Sequence, residues 1–529
     1  MSLVGKVGRR RWRARLAMAV LYGLLILGAL TTVYPFLLMV ATGFKGPTDQ
    51  NDNRLIPEYW QSREALVAKY VDDKYAGEAT MIASTRGGAS SDVERYRKYL
   101  ENLPVEFWTA GFRPAANQVT SRLQMMYQDW LRQRYKGDID ALNRAYIEEN
   151  TGFQTVVPPG ELLERRTWNP PDSRRYAEWI EFKRTLPAEF RIPVRETRMY
   201  QEFVRAKYQN TFAAVPPEIA GTAKSFESLA LPRQGEPAYA LAQEFRAKAL
   251  PARYRTVTAE GIWSAKSQQP ADWMRATAQG RAEGYDPMPI EAFEREFVAA
   301  HAGPIQREFT TRNFRYVLDY MVLNGRALLN TAIFCLLVIL AQLTVNPLAA
   351  YALSRFPIRQ SGKILIFLLA TMAFPAEVAM IPSFLLLKDA GLLNTFAALV
   401  LPSAASGYMI FLLKGFFDSL PQELFEAGQM DGAKETTMML RIAFPLSKPV
   451  LGYLALLAFM GAYSAFLYAF LVAQDQRMWT VMVFIYQLQS TAPKAVMMAA
   501  LALAALPTLA VFLLAQRVIL RGIVLPGER

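Results

Sequence analysis

Six stretches of the chain are apolar over about the 20 residues that a helix needs to cross the hydrocarbon of a bilayer: 16–40, 328–350, 364–382, 395–415, 450–472 and 495–520. Water is absent inside a membrane, so backbone there must satisfy its own hydrogen bonds, and these stretches are restricted to helices. The sequence therefore predicts an all-α membrane protein with six transmembrane helices. The first stretch follows a basic start, but it is longer than the apolar region of a secretory signal and lacks a small-residue cleavage site. It reads as a retained span.

Charge sets the orientation. Six spans put both termini on one side, and with the amino terminus inside, Arg9, Arg10, Arg11, Arg355, Arg359, Lys363, Lys434, Arg441, Lys448, Arg517 and Arg521 are cytoplasmic. Only Lys45, Arg326, Lys388, Arg477 and Lys494 fall on the short external flanks, in keeping with the positive-inside bias. Residues 46–320 are then extracytoplasmic. They hold 38 Lys+Arg against 37 Asp+Glu, so the net charge of +13 sits almost wholly elsewhere and needs no nucleic acid to explain it.

That external segment is domain-sized, rich in Trp, Tyr and Phe at helical spacing, and punctuated by proline, which predicts a mostly helical insertion between helices 1 and 2. It also repeats. Tyr127-Gln128-x-Trp130-Leu131-Arg132-x-x-Tyr135 returns as Tyr200-Gln201-x-Phe203-Val204-Arg205-x-x-Tyr208, a shift of about 73 residues linking 103–159 with 186–232. A weaker third unit is expected after Pro251. The lone Cys335 lies in the second span, so the insertion must hold without disulfides. His301 is the only histidine, which leaves a histidine-based triad or multi-histidine metal site without material, and no carboxylate pair stands out for acid–base work. The chain thus divides into 1–45 (basic terminus and first span), 46–320 (insertion) and 321–529 (five further spans).

Between the fourth and fifth spans lies a polar helical loop, 417–449. It contains Glu426-Ala427-Gly428-Gln429-Met430-Asp431-Gly432-Ala433, with Ile442 and Pro445 beyond. Asp431-Gly432 favours a turn, so the loop reads as a helix to Ala433, a glycine turn, and a second helix ending near Pro445. This pattern resembles the cytoplasmic coupling loop of bacterial ABC importer permeases. From Asn313 onward the chain is similar throughout to the MalG-like carbohydrate permeases, with Leu329-Asn330, Ala349-Ala350-Tyr351-Ala352-Leu353-Ser354-Arg355-Phe356, Ile381-Pro382 and Gly391-Leu392-x-Asn394-Thr395 all matching.

The resemblance implies a non-enzymatic transport subunit without cofactor, working with separate ATP-binding cassette ATPase subunits, a second MalF-like permease, an extracytoplasmic solute-binding protein and membrane lipid. It implies a sugar or oligosaccharide as cargo, with a non-sugar solute as the alternative. No G-x-x-x-x-G-K-[ST] phosphate loop occurs, in keeping with ATP hydrolysis on a partner. The expected coupling residues are Glu426, Ala427, Gly428, Asp431, Gly432, Ala433, Ile442 and Pro445. Candidate pathway residues are Glu377, an acid within a span, with Tyr463, Ser464 and Tyr468. The chain departs from the family at Tyr463-Ser464-Ala465-Phe466, where relatives carry Trp-Asn-Glu-Phe, and in its carboxyl-terminal tail. The large insertion is the greatest departure. A membrane-anchored sensor or glycan-processing protein acting through that insertion is a further reading.

Overall fold

The computed structural model describes residues 12–77, 93–114, 119–165, 167–232, 234–251, 289–324, 326–371 and 375–522. The first basic residues, most of the expected third repeat unit and the tail 523–529 lie outside them. The chain forms two compact units, Met1–Asn313 and Phe314–Arg529, each with its own hydrophobic core.

The first unit opens with α1 (Trp12–Gly43), whose apolar side chains from Leu16 to Leu37 are largely exposed, as a lipid-facing helix requires. Beyond it the chain turns through a buried polar root. Lys45, fully buried, pairs with Asp52 and donates to the Arg54 carbonyl at 2.7 Å. Asn313 Nδ2 donates to the carbonyls of Gly43 and Lys45 at 3.0 and 2.7 Å.

The helices that follow start where short polar side chains cap them. Ser62, Ser121, Asp138 and Ser173 each accept an amide from the first turn of α2 (Arg63–Lys74), α3 (Arg122–Arg134), α4 (Ile139–Tyr146) and α5 (Arg174–Arg184). An antiparallel pair, β1 (Trp108–Ala110) with β2 (Arg191–Pro193), joins two similar halves, Thr109 facing Ile192. The halves use the same bonds. Gln128 Nε2 in α3 donates to the Gln154 and Val156 carbonyls at 3.0 and 2.9 Å. In α6 (Glu196–Lys207), Gln201 Nε2 donates to those of Glu227 and Leu229, both at 2.9 Å. Arg132 lies over Phe153 as Arg205 lies over Phe226.

Buried aromatic rings fill this unit, with Tyr127 edge-on to Trp179 at 5.3 Å. Two ion pairs are sealed in the core, Lys74 with Glu294 and Lys183 with Glu161, the latter at 3.0 Å. Arg113 holds the other oxygen of Glu161 at 2.6 Å.

The second unit is organised around α7 (Ala327–Arg355), which packs against α10 (Gly407–Asp418) and α13 (Lys448–Ser464). A final long helix, α16 (Lys494–Gly522), packs on α13 and on α15 (Val481–Thr491). Among the described residues, three helices are long and apolar enough to span a membrane, within Met18–Gly43, Ala327–Arg355 and Lys494–Gln516. The number rises to five if each of two bent pairs is one span.

Three expected spans are thus not single straight helices. Residues 364–382 fall on α8 (Ser361–Thr371) and α9 (Ala376–Asp389), with 372–374 outside the description. Residues 395–415 form Phe396–Ser403 and α10, bent by 51°. Residues 450–472 break at Ala465, whose backbone is extended, before α14 (Leu467–Val472).

Candidate functional site: a surface helical hairpin and the cavity behind it

The loop after α10 folds into a helical hairpin. Its first arm is α11 (Gln422–Met430). The amide of Ala433 bonds the Gly428 carbonyl at 2.9 Å and that of Gly432 bonds Gln429 at 3.0 Å. This double closure needs a left-handed residue at its corner, and Gly432 supplies it with φ +75°. The second arm begins with α12 (Glu435–Met438) and passes into a π-helical turn, Met439–Ala443.

The arm runs one residue past Pro445, to Leu446, so the proline lies just inside its end. A proline ring inside a regular helix collides with the carbonyl four residues back, and the widened π turn just before it relieves that collision. The chain bends at Ser447, where the arm meets α13 at 82°. The Ser447 hydroxyl donates to the Ala443 carbonyl at 2.6 Å.

The two arms touch at Gly428. A Cβ there would lie 3.3 Å from Ile442 Cδ1 and 3.4 Å from Met438 Sδ, so a larger side chain would wedge the arms apart. The structure thus brings Gly428 and Ile442 together, places Gly432 at the tip, and leaves Glu426, Ala427, Asp431 and Pro445 exposed, with Ala433 half-buried. Met430 at the tip is 88 % exposed. The tip therefore presents Glu426 and Asp431 beside Lys434, with Met430 as an apolar point.

Sequence reasoning missed what anchors the hairpin. Arg355, at the end of α7, lies with its guanidinium 3.7 Å from the centre of the buried Phe425 ring and donates to the Phe417 carbonyl at 2.6 Å. Tyr351, one turn earlier, donates its hydroxyl to Glu435 at 3.1 Å. Ser354 bonds Asp418 at 2.6 Å. Their i, i+3, i+4 spacing on α7 was the available signal.

The same helix lines a cavity of about 530 Å³ with Phe334, Val338 and Gln342, opposite Glu377, Ser383 and Tyr468. Here the break before α10 is resolved. Gln342 Nε2 donates to the Ser403 carbonyl at 2.7 Å, and Asn346 Oδ1 accepts the Ser406 amide at 2.8 Å. Backbone groups freed inside a membrane helix are tolerated where neighbours or a cavity re-satisfy them. Gly407 admits the close approach of α8, since a Cβ there would run into the Leu368 carbonyl oxygen.

Of the candidate pathway residues, Glu377 and Tyr468 line the cavity, and Tyr468 donates to the Ala398 carbonyl at 2.8 Å. Tyr463 is buried with its hydroxyl on the Ala504 carbonyl at 2.6 Å, and Ser464 donates back to Met460. Neither is among the residues lining the cavity. Among the described residues no cluster of His, Cys, Asp and Glu is arranged to hold a metal ion.

Residues 346–524, from the Asn346 that repairs the helix break through the hairpin to the last long helix, match the family model described as "Binding-protein-dependent transport system inner membrane component". The sn-glycerol-3-phosphate transport system permease protein UgpE of Rhizobium meliloti (strain 1021) is 32% identical over 205 residues, which cover 38% of this chain and 72% of that protein. The chain belongs to the inner-membrane permeases of ABC importers. UgpE of Yersinia pestis bv. Antiqua (strain Antiqua) is 35% identical over 206 residues, covering 73% of its length. The permease is also similar to a chain of a bacterial ABC transporter involved in the import of the acidic polysaccharide alginate, at a TM-score of 0.36 and 24% identity. That likeness covers 39% of this chain and 78% of the other. The permease is a multi-pass inner-membrane transport subunit, and the whole hairpin lies within the residues that match the family model, as does the cavity wall other than Phe334, Val338 and Gln342.

Proposed function

We propose that this permease forms half of the transmembrane pathway of an ATP-driven importer for a sugar or oligosaccharide, and that hairpin 422–446 docks on a separate ATPase chain. In this reading the chain spans the membrane six times with both termini in the cytoplasm. Residues 46–320 form an extracytoplasmic domain, and a second permease and a solute-binding protein complete the complex. Relatives named for sn-glycerol 3-phosphate transport make a phosphorylated polyol the alternative cargo. Family membership speaks against the sensor or glycan-processing reading.

The observation that carries the coupling reading is that one helix serves both places. α7 lines the cavity through Gln342 and clamps the hairpin through Tyr351 and Arg355. Thirteen helical residues, about 20 Å at 1.5 Å each, separate the two. A push on the hairpin tip reaches the cavity wall along one continuous helix, in which Pro347 lies between the two places. Glu426 would meet a basic group of the ATPase, and Gly432 would keep the tip in its left-handed turn.

The test is Gly432→Val in the complex reconstituted with its ATPase. A β-branched side chain resists the left-handed conformation, so ATP-driven uptake should fall at least tenfold while the complex still inserts and assembles. Uptake at the parental rate would reject the docking role.

A further inference from the structure

The first unit holds a cavity of about 310 Å³ that the permease reading does not use. Its walls come from segments far apart in sequence, including Tyr70 in α2, Phe112 after β1, Arg122 at the start of α3, Glu189 before β2, and Phe297 and His301. Arg97, Arg312, Asp73 and Glu308 also reach it, but they are paired: Arg97 with Glu94 at 3.6 Å and Glu296 at 4.0 Å, and the other three with one another. The Arg312 guanidinium is held by both Asp73 oxygens at 2.8 Å and by Glu308 at 2.7 and 2.8 Å.

What remains is a set of polar groups with hydrogen-bonding capacity left over among the described residues. Arg122 makes no hydrogen bond or ion pair with any of them. Its guanidinium lies flat among rings, 4.9 Å from the centre of Phe190 and 5.5 Å from that of Phe112. Glu189, half-buried, has no bonded partner for its carboxylate among the described residues. The His301 ring stacks on Phe297 at 4.4 Å with Nδ1 3.0 Å from the Phe297 carbonyl. With Nδ1 as the donor in that bond, Nε2 is left as an acceptor. The Tyr70 hydroxyl is buried and unpartnered. Phe112 presents its ring from a left-handed backbone, φ +60°, which a bulky residue adopts only when its surroundings enforce it.

We propose that this cavity binds a neutral, hydroxyl-rich solute of monosaccharide size, so that the insertion is itself a solute-binding domain. A hydroxyl both donates and accepts, which is what the unpaired groups of the wall, the Arg122 guanidinium, the Glu189 carboxylate and the His301 acceptor, require. An anion would satisfy Arg122 but meet Glu189 with like charge. The rings of Phe112 and Phe297 supply flat apolar faces for the C–H face of a sugar, and the volume lies at the small end of ligand pockets. The inference draws on the transport reading only for the use made of binding, since binding is measured without ATPase or transport.

The experiment is saturation-transfer NMR and calorimetric titration of the full-length protein in mild detergent with D-glucose, D-galactose and D-mannose, and with D-glucuronate and sn-glycerol 3-phosphate as anionic comparators. Saturable binding of a neutral sugar is expected, weakened at least tenfold in Glu189→Gln and in Arg122→Gln. Thermal unfolding of both variants verifies that the domain is folded, and if Arg122→Gln is unstable, Glu189→Gln alone decides. No saturable binding, binding that survives Glu189→Gln, or binding of the anionic probes alone would overturn the proposal. Transport failure in Gly432→Val with sugar binding intact separates the two readings.

Discussion

The guanidinium of Arg355 sits 3.7 Å from the centre of the Phe425 ring, joining the end of the central helix α7 to the first arm of the surface hairpin. A cation over an aromatic face is worth roughly 0.5–2 kcal/mol depending on how far it is desolvated. The added bond to the Phe417 carbonyl fixes the plane of the guanidinium. Lysine carries the charge but not the planar fork. Arg355→Lys should therefore loosen the hairpin without unfolding the unit. The expected result is a fall of about fivefold or more in transport per ATP hydrolysed in reconstituted vesicles, with unchanged yield of inserted protein.

Asn346 is completely buried and bonds the helix break twice, accepting the Ser406 N–H at 2.8 Å and donating to the Ala404 carbonyl at 3.4 Å. Asn346→Leu keeps the volume and leaves the Ser406 amide buried without a partner. An unsatisfied buried group costs about 1–3 kcal/mol. Thermal unfolding in detergent should show a clear loss in melting temperature, whereas Thr344→Ala, at an exposed hydroxyl on the same helix, should show little.

Glu161 stands between two cations, Lys183 at 3.0 Å and Arg113 at 2.6 Å, with Glu161 and Lys183 fully buried. Removing one member of a buried pair costs about 3–5 kcal/mol because the remaining charge is stranded. Glu161→Gln should destabilise the first unit by that order, read as a shift in the denaturant midpoint followed by fluorescence of the buried Trp108 and Trp179.

The same lysine makes stability depend on pH. Burial pushes Lys183 down to about 8 from an ordinary 10.5, against the pull of Glu161. Between these values the unfolded chain holds more protons than the folded one, so stability rises with pH across about 8–10.5 and that gain is lost below pH 8. Tyr59, Tyr127 and Tyr200, pushed up to about 12 by burial, act in the opposite sense and lower stability above pH 10. Melting temperature of the full chain should climb from pH 8 toward 10 and then fall, and Lys183→Met should flatten the climb.

Much of the second unit was legible in the sequence because its signals are local. The apolar length of 327–355, the Asp431-Gly432 corner and the acids of the hairpin depend on neighbours a few residues away. Its breaks were not legible. The bend after Ser403 is stable only because Gln342 and Asn346, some 60 residues earlier, meet the freed carbonyls and amide, and no local pattern announces that. Pro445 marks the end of the second arm to within a residue, but the π turn that carries it inside the helix has no local signal. Of the candidates Tyr463, Ser464 and Tyr468, the fold turns Tyr463 to the Ala504 carbonyl, whereas Tyr468, five residues on, lines the cavity.

The central claim, that the hairpin tip docks on an ATPase chain, is tested most directly by placing a photo-reactive amino acid at Met430, whose side chain is 88 % exposed at that tip. Irradiation of the assembled complex should yield a cross-link to the ATP-binding subunit whose intensity changes with nucleotide, while the same probe at Ile366, exposed on α8, should give none. Cross-linking of Met430 to lipid, to the second permease or to nothing, in a complex that still hydrolyses ATP and transports, would contradict the account.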